Sequence, residues 1–211
     1  MKQADVTSWI VKPLVFILAL VPAGSLVYGL VVDQLGANPV ETITHETGEW
    51  GLRFLLLTLA ITPIQRLAPW STAIRLRRML GLFAFFYVLL HFTTYLWLDH
   101  FFELEAIIED ISERPYITAG VTALVAMIPL ALTSTNGMLK RLGAKRWQAL
   151  HRLVYVACAA ALLHFIWLVK ADLRGPLIYT AIGIALMALR YQRKKRRPEQ
   201  TAAQPAETTL P

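Results

Sequence analysis

The chain has 211 residues, 56% of them hydrophobic and only 17% charged, with a mean hydropathy of +0.49 and a formal net charge of +7. Soluble domains average about 25% charged residues, and a fold of this size cannot hide so much apolar surface from water. A disordered chain, a secreted disulfide scaffold and an ordinary cytosolic enzyme are thereby excluded as leading readings, and an all-α integral membrane protein is expected.

Six apolar blocks follow one another along the chain, at residues 14–32, 50–64, 80–98, 117–132, 153–169 and 176–189. A helix needs about 20 residues to cross the hydrocarbon core. Six spans therefore use most of the chain, and a six-helix transmembrane bundle over residues 1–197 is expected. The first block is preceded by Lys2 and Lys12. It is longer than a signal-peptide core and lacks a clear A-x-A site, which points to an uncleaved anchor. The second and sixth blocks are short, so snorkelling by Arg53 or Arg190 is expected to extend them. Pro22, Pro63 and Pro129 are expected to kink their helices. The stretch 99–114, DHFFELEAIIEDISER, interleaves acidic and apolar residues. It reads as a short amphipathic helix on the outer surface or as a docking patch for a soluble partner, with a solvated loop hugging the interface as the simpler reading than docking. The segment 198–211, PEQTAAQPAETTLP, is polar and reads as a disordered cytoplasmic tail.

Basic residues assign the two faces. Seventeen of the 21 lie on one side of the six blocks; Arg53, Arg114, Lys170 and Arg174 make up the rest. Both termini are therefore expected in the cytoplasm, with the loops 33–49, 99–116 and 170–175 facing outward. The run RKKRR at 193–197 is an anchor at an anionic lipid surface. The positive charge thus labels topology, and no nucleic-acid partner is expected.

Ionisable groups at membrane depth are costly and mark function. Of the five histidines, His91 and His164 lie inside apolar runs, His151 lies at the start of the fifth block, and His45 and His100 fall in outer loops. His91 precedes Asp99 by 8 residues and His164 precedes Lys170 by 6. The third and fifth spans run in the same direction, so at about 1.5 Å per residue the two imidazoles share one depth in the outer half of the membrane. Such a pair suits axial ligation of a b-type heme between helices. A proton relay and a structural role are the alternatives. The second nitrogen of each ring needs an acceptor, for which Tyr87, Thr94 or a backbone carbonyl are candidates. The chain has one cysteine, Cys158, and no C-x-x-C-H motif, so a heme is held non-covalently. Zinc is disfavoured because no acidic or cysteine ligand lies at that depth.

His151 lies about 20 Å from His164 along a continuous helix, near the cytoplasmic surface, where a second heme would complete a path across the bilayer. The matching depth on the third span holds Arg77 or Arg78, and arginine offers no neutral nitrogen. Thirteen residues on an ideal helix also leave the two rings about 140° apart, which demands a bend or an off-edge heme. The aromatics Phe92, Trp97, Phe165 and Trp167 read as packing and interfacial belt.

Several stretches resemble a known family: GEWGLRFLLLTLAITP, RLRRMLGL followed by His91, ERPYITAG, and LTSTNGMLKRLGAKRWQALHRLVY. Together they are similar to the MsrQ family of heme-binding membrane subunits of bacterial methionine sulfoxide reductase systems, within the ferric-reductase-like transmembrane superfamily. The resemblance covers about residues 9–191 and implies a multi-pass b-type cytochrome of the bacterial inner membrane, with one or two hemes. It implies His91, His151 and His164 as axial ligands of heme iron. It implies a periplasmic molybdopterin catalytic subunit, MsrP, as electron acceptor, and the quinone pool or a cytosolic flavin reductase as donor. Flavin mononucleotide is also associated with the family; the basic stretches 75–78 and 140–146 are candidate holders of its phosphate, although their positive-inside role is the simpler one.

The chain is expected to lack a nucleotide domain, since about 20 residues follow the sixth block and no G-x-G-x-x-G motif is present. Electrons are then expected from a separate reductase or from quinol. A quinol- or flavin-dependent ferric reductase without a protein acceptor is one alternative. A non-redox, histidine-dependent, proton-coupled membrane protein is the other.

Overall fold

A computed structural model describes residues 7–67 and 71–202, with side chains described over 9–65 and 76–190. Every regular element among the described residues is helical. A π-turn at Thr7–Val11 leads into α1, Lys12–Val31. Then come α2, Pro39–Leu67, and α3, Ser71–Thr94, which continues as a π-turn at Tyr95–Asp99. The short α4, Leu104–Glu113, precedes α5, Pro115–Leu132. There follow α6, Asn136–Leu150, α7, Leu153–Leu168, and α8, Arg174–Ala202, and the segment 203–211 of the expected tail lies outside the described residues.

All six apolar blocks fall on helices, on α1, α2, α3, α5, α7 and α8. Among the described residues, three helical stretches are long and apolar enough to cross a membrane: Trp9–Val31, Leu76–Asp99 and Pro115–Leu132. Asn136–Leu150 and Leu153–Leu168, bent by 42° at their junction, count as a fourth if taken as one broken span. The outward faces of these helices are apolar. Ile17 is 62% exposed, Val27 64% and Leu132 69%. An apolar exterior of this extent belongs against lipid. The expected amphipathic helix within 99–114 is α4, with Ile107 and Asp110 buried and Leu104 and Ile108 exposed.

The bundle is organised as two helix pairs. α2 packs along α3, and α5 along α7. The first pair is antiparallel, since Thr44 meets Thr94, Gly51 meets Val88 and Thr58 meets Gly81. Phe54 stacks on Tyr87 at 5.4 Å and tilts against Phe83, and this aromatic seam joins Leu55, Leu59, Met127, Cys158 and Leu162 in one core. α8 lies against both α2 and α7.

Two prolines interrupt helix ladders, and side chains from other helices repair them. Next to Pro22, the buried Tyr87 hydroxyl donates to Ala19 O at 2.7 Å and accepts from Ala23 N–H at 3.1 Å, so it bridges a pair normally bonded directly. Pro63 has no N–H to offer Leu59 O four residues back. Arg190 fills the gap, donating to that carbonyl from Nε at 3.0 Å and Nη2 at 2.6 Å and to Thr62 Oγ1 at 2.9 Å. Arg190 was expected to snorkel; it is instead the partner of a broken helix turn.

Two expected loops are helical. The stretch 33–49 was read as an outer loop, but α2 begins at Pro39, which places His45 on a helix. Asn38 caps its start, accepting from Glu41 N–H at 3.2 Å while its amide donates to Glu41 Oε2 at 3.1 Å. Asn, then Pro at the first helical position, then Glu is a start signal that the apolar blocks overshadowed. The segment between the fourth and fifth blocks forms α6, capped by Thr135, whose side chain accepts from Met138 N–H at 3.2 Å. α6 is kinked at Gly143, whose φ of 71° only glycine adopts readily.

Candidate functional site: a cavity between two helix pairs

His91 comes from α3 and His164 from α7, one from each helix pair. Their ring centres lie 6.0 Å apart with planes crossed at 73°. Each ring is fixed in the same way. His91 Nδ1 hydrogen-bonds Thr44 O on α2 at 2.8 Å, and His164 Nδ1 hydrogen-bonds Tyr116 O on α5 at 2.6 Å. A carbonyl only accepts, so in each bond Nδ1 carries the proton and Nε2 keeps its lone pair.

Both histidines line a cavity of about 940 Å³, at the upper end of the roughly 300–1,000 Å³ usual for cofactor sites. Its inner walls are apolar, with Leu52, Leu55, Leu124, Met127 and Phe165 among them. Its polar end is closed by α4 and the turn before it. There His100 Nε2 lies 3.1 Å from Asp110 Oδ2, and Arg114 Nε lies 3.1 Å from Asp110 Oδ1. Arg114 Nη1 also donates to Tyr116 OH at 3.4 Å, and Tyr95 packs edge-on against His100 with ring centres 4.6 Å apart. The turn holds Phe101 and Phe102 at φ of 46° and 62°, unusual for bulky residues, and pins them through Phe102 N–H to Leu96 O at 2.9 Å.

The residues present fit a heme. Nitrogens about 2 Å from a shared metal, with ring centres ~1.1 Å behind them, place two opposed imidazole centres about 6.2 Å apart. The observed separation is 6.0 Å. Nδ1 held by an acceptor, leaving Nε2 free, is the usual arrangement of a ligating histidine. Apolar walls and a polar mouth match a ring with apolar faces and charged edge groups. Among the described residues there is no cluster of three or more His, Cys, Asp or Glu side chains able to hold a bare metal ion.

Of the acceptors offered from sequence, the backbone carbonyl is the one used. Tyr87 is committed to α1, and Thr94 donates to His91 O at 2.7 Å instead of meeting the ring. His151 stands apart from the pair. It lies in the turn between α6 and α7, where its ring stacks on Trp147 at 3.7 Å and its Nδ1 meets Trp147 O at 3.1 Å. Its Nε2 is buried without a hydrogen-bond partner. The expected 140° offset from His164 assumed one straight helix, and the chain bends by 42° at this point instead. Arg78 reaches Asn136 Oδ1 at 2.6 Å. The side chain of Arg75 lies outside the described residues.

Sequence reading missed three features of the site. The carbonyls of Thr44 and Tyr116 carry no side-chain signal, although Tyr116 sits within the ERPYITAG stretch. The Asp110–Arg114 pair had only its i, i+4 spacing to announce it. Beside the cavity, Glu49 Oε1 accepts from Arg53 Nη2 at 2.6 Å and from Tyr179 OH at 2.7 Å, and Arg53 Nε donates to Tyr179 OH at 2.9 Å. Arg53, expected to snorkel, is held inside this network with its guanidinium 4.5 Å from the Trp50 ring centre.

A family profile described as "Ferric reductase like transmembrane component" matches residues 47–162, a segment that includes His91 and His151 and ends two residues before His164. Similar curated proteins include one from Herminiimonas arsenicoxydans, 56% identical over 86% of this chain and 84% of its own length. Another, from Azospira oryzae, is 48% identical over 85% of this chain and 78% of its own. A third, from Rhodospirillum rubrum, is 52% identical over 83% and 85%. Each of these is named "Protein-methionine-sulfoxide reductase heme-binding subunit MsrQ". The chain is an all-helical, multi-pass membrane protein that belongs to the MsrQ family, with a ferric-reductase-like transmembrane component.

Proposed function

We propose that the protein is the heme-binding membrane subunit of a methionine sulfoxide reductase system and conducts electrons across the bacterial inner membrane. The observation that carries this reading is the His91–His164 pair, 6.0 Å apart and held alike through Nδ1, in an apolar cavity. A heme b in that cavity supplies a one-electron carrier. His91 and His164 would bind it, with the Thr44 and Tyr116 carbonyls holding each ring with Nδ1 protonated and Nε2 free. Leu52, Leu55, Leu124 and Met127 keep the cavity apolar and exclude water from it, and α4 closes its polar end.

Six spans with both termini in the cytoplasm are part of the same reading, supported by the one-sided distribution of basic residues. Electrons enter from the cytoplasmic side, from quinol or a cytosolic flavin reductase. They leave at the periplasmic face to a molybdopterin catalytic subunit, MsrP, which repairs oxidised periplasmic proteins. The partnerless Nε2 of His151 fits contact with a second cofactor, a further heme or flavin mononucleotide. Residues 1–197 form the membrane domain in this reading and 198–211 a cytoplasmic tail.

The test is heme stoichiometry and a reduced-minus-oxidised spectrum on the purified chain and three variants. The expected result is a b-type spectrum that His91→Ala and His164→Ala each abolish at the outer site. His151→Ala retains that heme and slows reduction from the cytoplasmic side. A colourless protein after expression with ample heme would refute the function. Equal heme loss in all three variants would refute the separation of His151 from the pair.

A further inference from the structure

Two glycines stand against the rings of the paired histidines. Gly48 lies on α2 four residues after Thr44, whose carbonyl holds His91. Gly120 lies on α5 four residues after Tyr116, whose carbonyl holds His164. A Cβ on Gly48 would stand 3.0 Å from His91 Nδ1 and 3.1 Å from its Cε1. A Cβ on Gly120 would stand 2.9 Å from His164 Nδ1 and 3.2 Å from its Cε1. The obstacle in each case is the atom that makes the carbonyl bond.

Helix geometry explains the spacing. The carbonyl of residue i points at the N–H of residue i+4, and side chains lean toward the helix N-terminus. The side chain of residue i+4 therefore covers the carbonyl of residue i from outside. With glycine at i+4 the second lone pair of that carbonyl is open to a neighbouring helix. The sequence thus contains Thr44-x-x-x-Gly48 and Tyr116-x-x-x-Gly120, one in each helix pair, each presenting a bare carbonyl to an imidazole. Other glycines differ: Gly183 is tight but faces an apolar side chain, Leu162 Cδ1 at 2.6 Å, and Gly24 is open, with nothing within 4 Å.

We propose that Gly48 and Gly120 are positioning residues that fix the Nδ1–H tautomer and the ring plane of His91 and His164, and through them the strength of axial ligation. This rests on reading the cavity as a heme site, but the tautomer is a property of the chain that is measured with or without heme. Such outer partners typically govern metal affinity by about 10–100-fold.

The experiment is 15N NMR of the full-length, histidine-labelled chain in detergent, reduced with dithionite, with heme content measured alongside. Gly48→Ala and Gly120→Ala are compared with Gly183→Ala and Gly24→Ala. Wild type is expected to show His91 and His164 protonated at Nδ1. Gly48→Ala should lose the first signal and Gly120→Ala the second, each with heme retention weakened by about 10–100-fold. The Gly183 and Gly24 variants should keep both signals, so a loss confined to one ring separates positioning from general loosening. Nε2–H tautomers at these two histidines in wild type would overturn the proposal without any variant. So would a Soret band with both signals unchanged in the Gly48 and Gly120 variants, a result that leaves the heme reading standing. Signals that respond as expected in a chain without a Soret band would uphold the positioning role and refute the heme reading.

Discussion

Arg190 and Pro63 make a pair whose energetic coupling follows from the helix ladder. Pro63 leaves Leu59 O without its N–H partner, and Arg190 supplies two donors in its place, at 3.0 Å and 2.6 Å. It also donates to Thr62 Oγ1 at 2.9 Å and, at 3.4 Å each, to Thr58 O and Tyr155 OH. Hydrogen bonds to a charged group contribute about 1.5–3 kcal/mol in water-soluble proteins, and an orphaned buried carbonyl costs about 1–3 kcal/mol. Polar contacts between membrane helices average only ~0.6 kcal/mol, with a maximum near 1.7. Leu59 is almost fully buried, 1% exposed, and its carbonyl has no alternative donor within the ladder, so Arg190→Met is placed at the upper end, about 2 kcal/mol destabilising. Pro63→Ala restores an N–H at the right position. In that background the cost of Arg190→Met should fall to about half, giving a coupling of ~1 kcal/mol in a double-mutant cycle. Unfolding in mixed micelles, followed by helical circular dichroism, measures all four proteins. Equal cost of Arg190→Met with and without Pro63 would refute the idea that the arginine completes the broken turn.

Two further outcomes follow from single contacts. Tyr87→Phe removes the hydroxyl that bridges Ala19 O and Ala23 N–H, and should destabilise by about 1 kcal/mol while letting the α1 turn reclose, seen as slower amide exchange at residue 23; unchanged stability and exchange would contradict the bridge. Asp110→Asn removes the charge that joins His100 to Arg114, and should speed amide exchange across 104–113 several-fold while the helices around the cavity stay protected; uniform exchange would mean that the clasp does not hold α4.

The site is assembled from parts of different range. α2 and α3 supply Thr44 and His91, and α5 and α7 supply Tyr116 and His164, so neither helix pair holds both histidines of the cavity. A cofactor ligated across the gap would tie the pairs together, and metal binding in such a site would also be folding free energy. The Glu49–Arg53–Tyr179 network stands beside this gap and links α2 to α8 with one charge of each sign and a shared phenol, which keeps an ion pair satisfied within an apolar bundle.

What the sequence determined by itself was everything that depends on local composition and axial rise. Six apolar blocks became helices because each buries or presents apolar side chains along its own length. His91 and His164 were paired from sequence because rise per residue is constant along a helix, and their rings do lie 6.0 Å apart. The short helix in 99–114 was legible from its alternation of acid and apolar residues. The tertiary structure alone decided which groups meet across the bundle. Thr44 O and Tyr116 O became the partners of the histidines because a backbone carbonyl is the same in every residue type, so nothing in the sequence marks it. Arg190 found Leu59, 131 positions away, because a proline's missing donor is visible only where another helix passes. His45 moved from loop to helix because an Asn–Pro–Val–Glu start signal is weaker in composition than the apolar block it precedes, yet the cap it forms is enough to begin α2 eleven residues before that block.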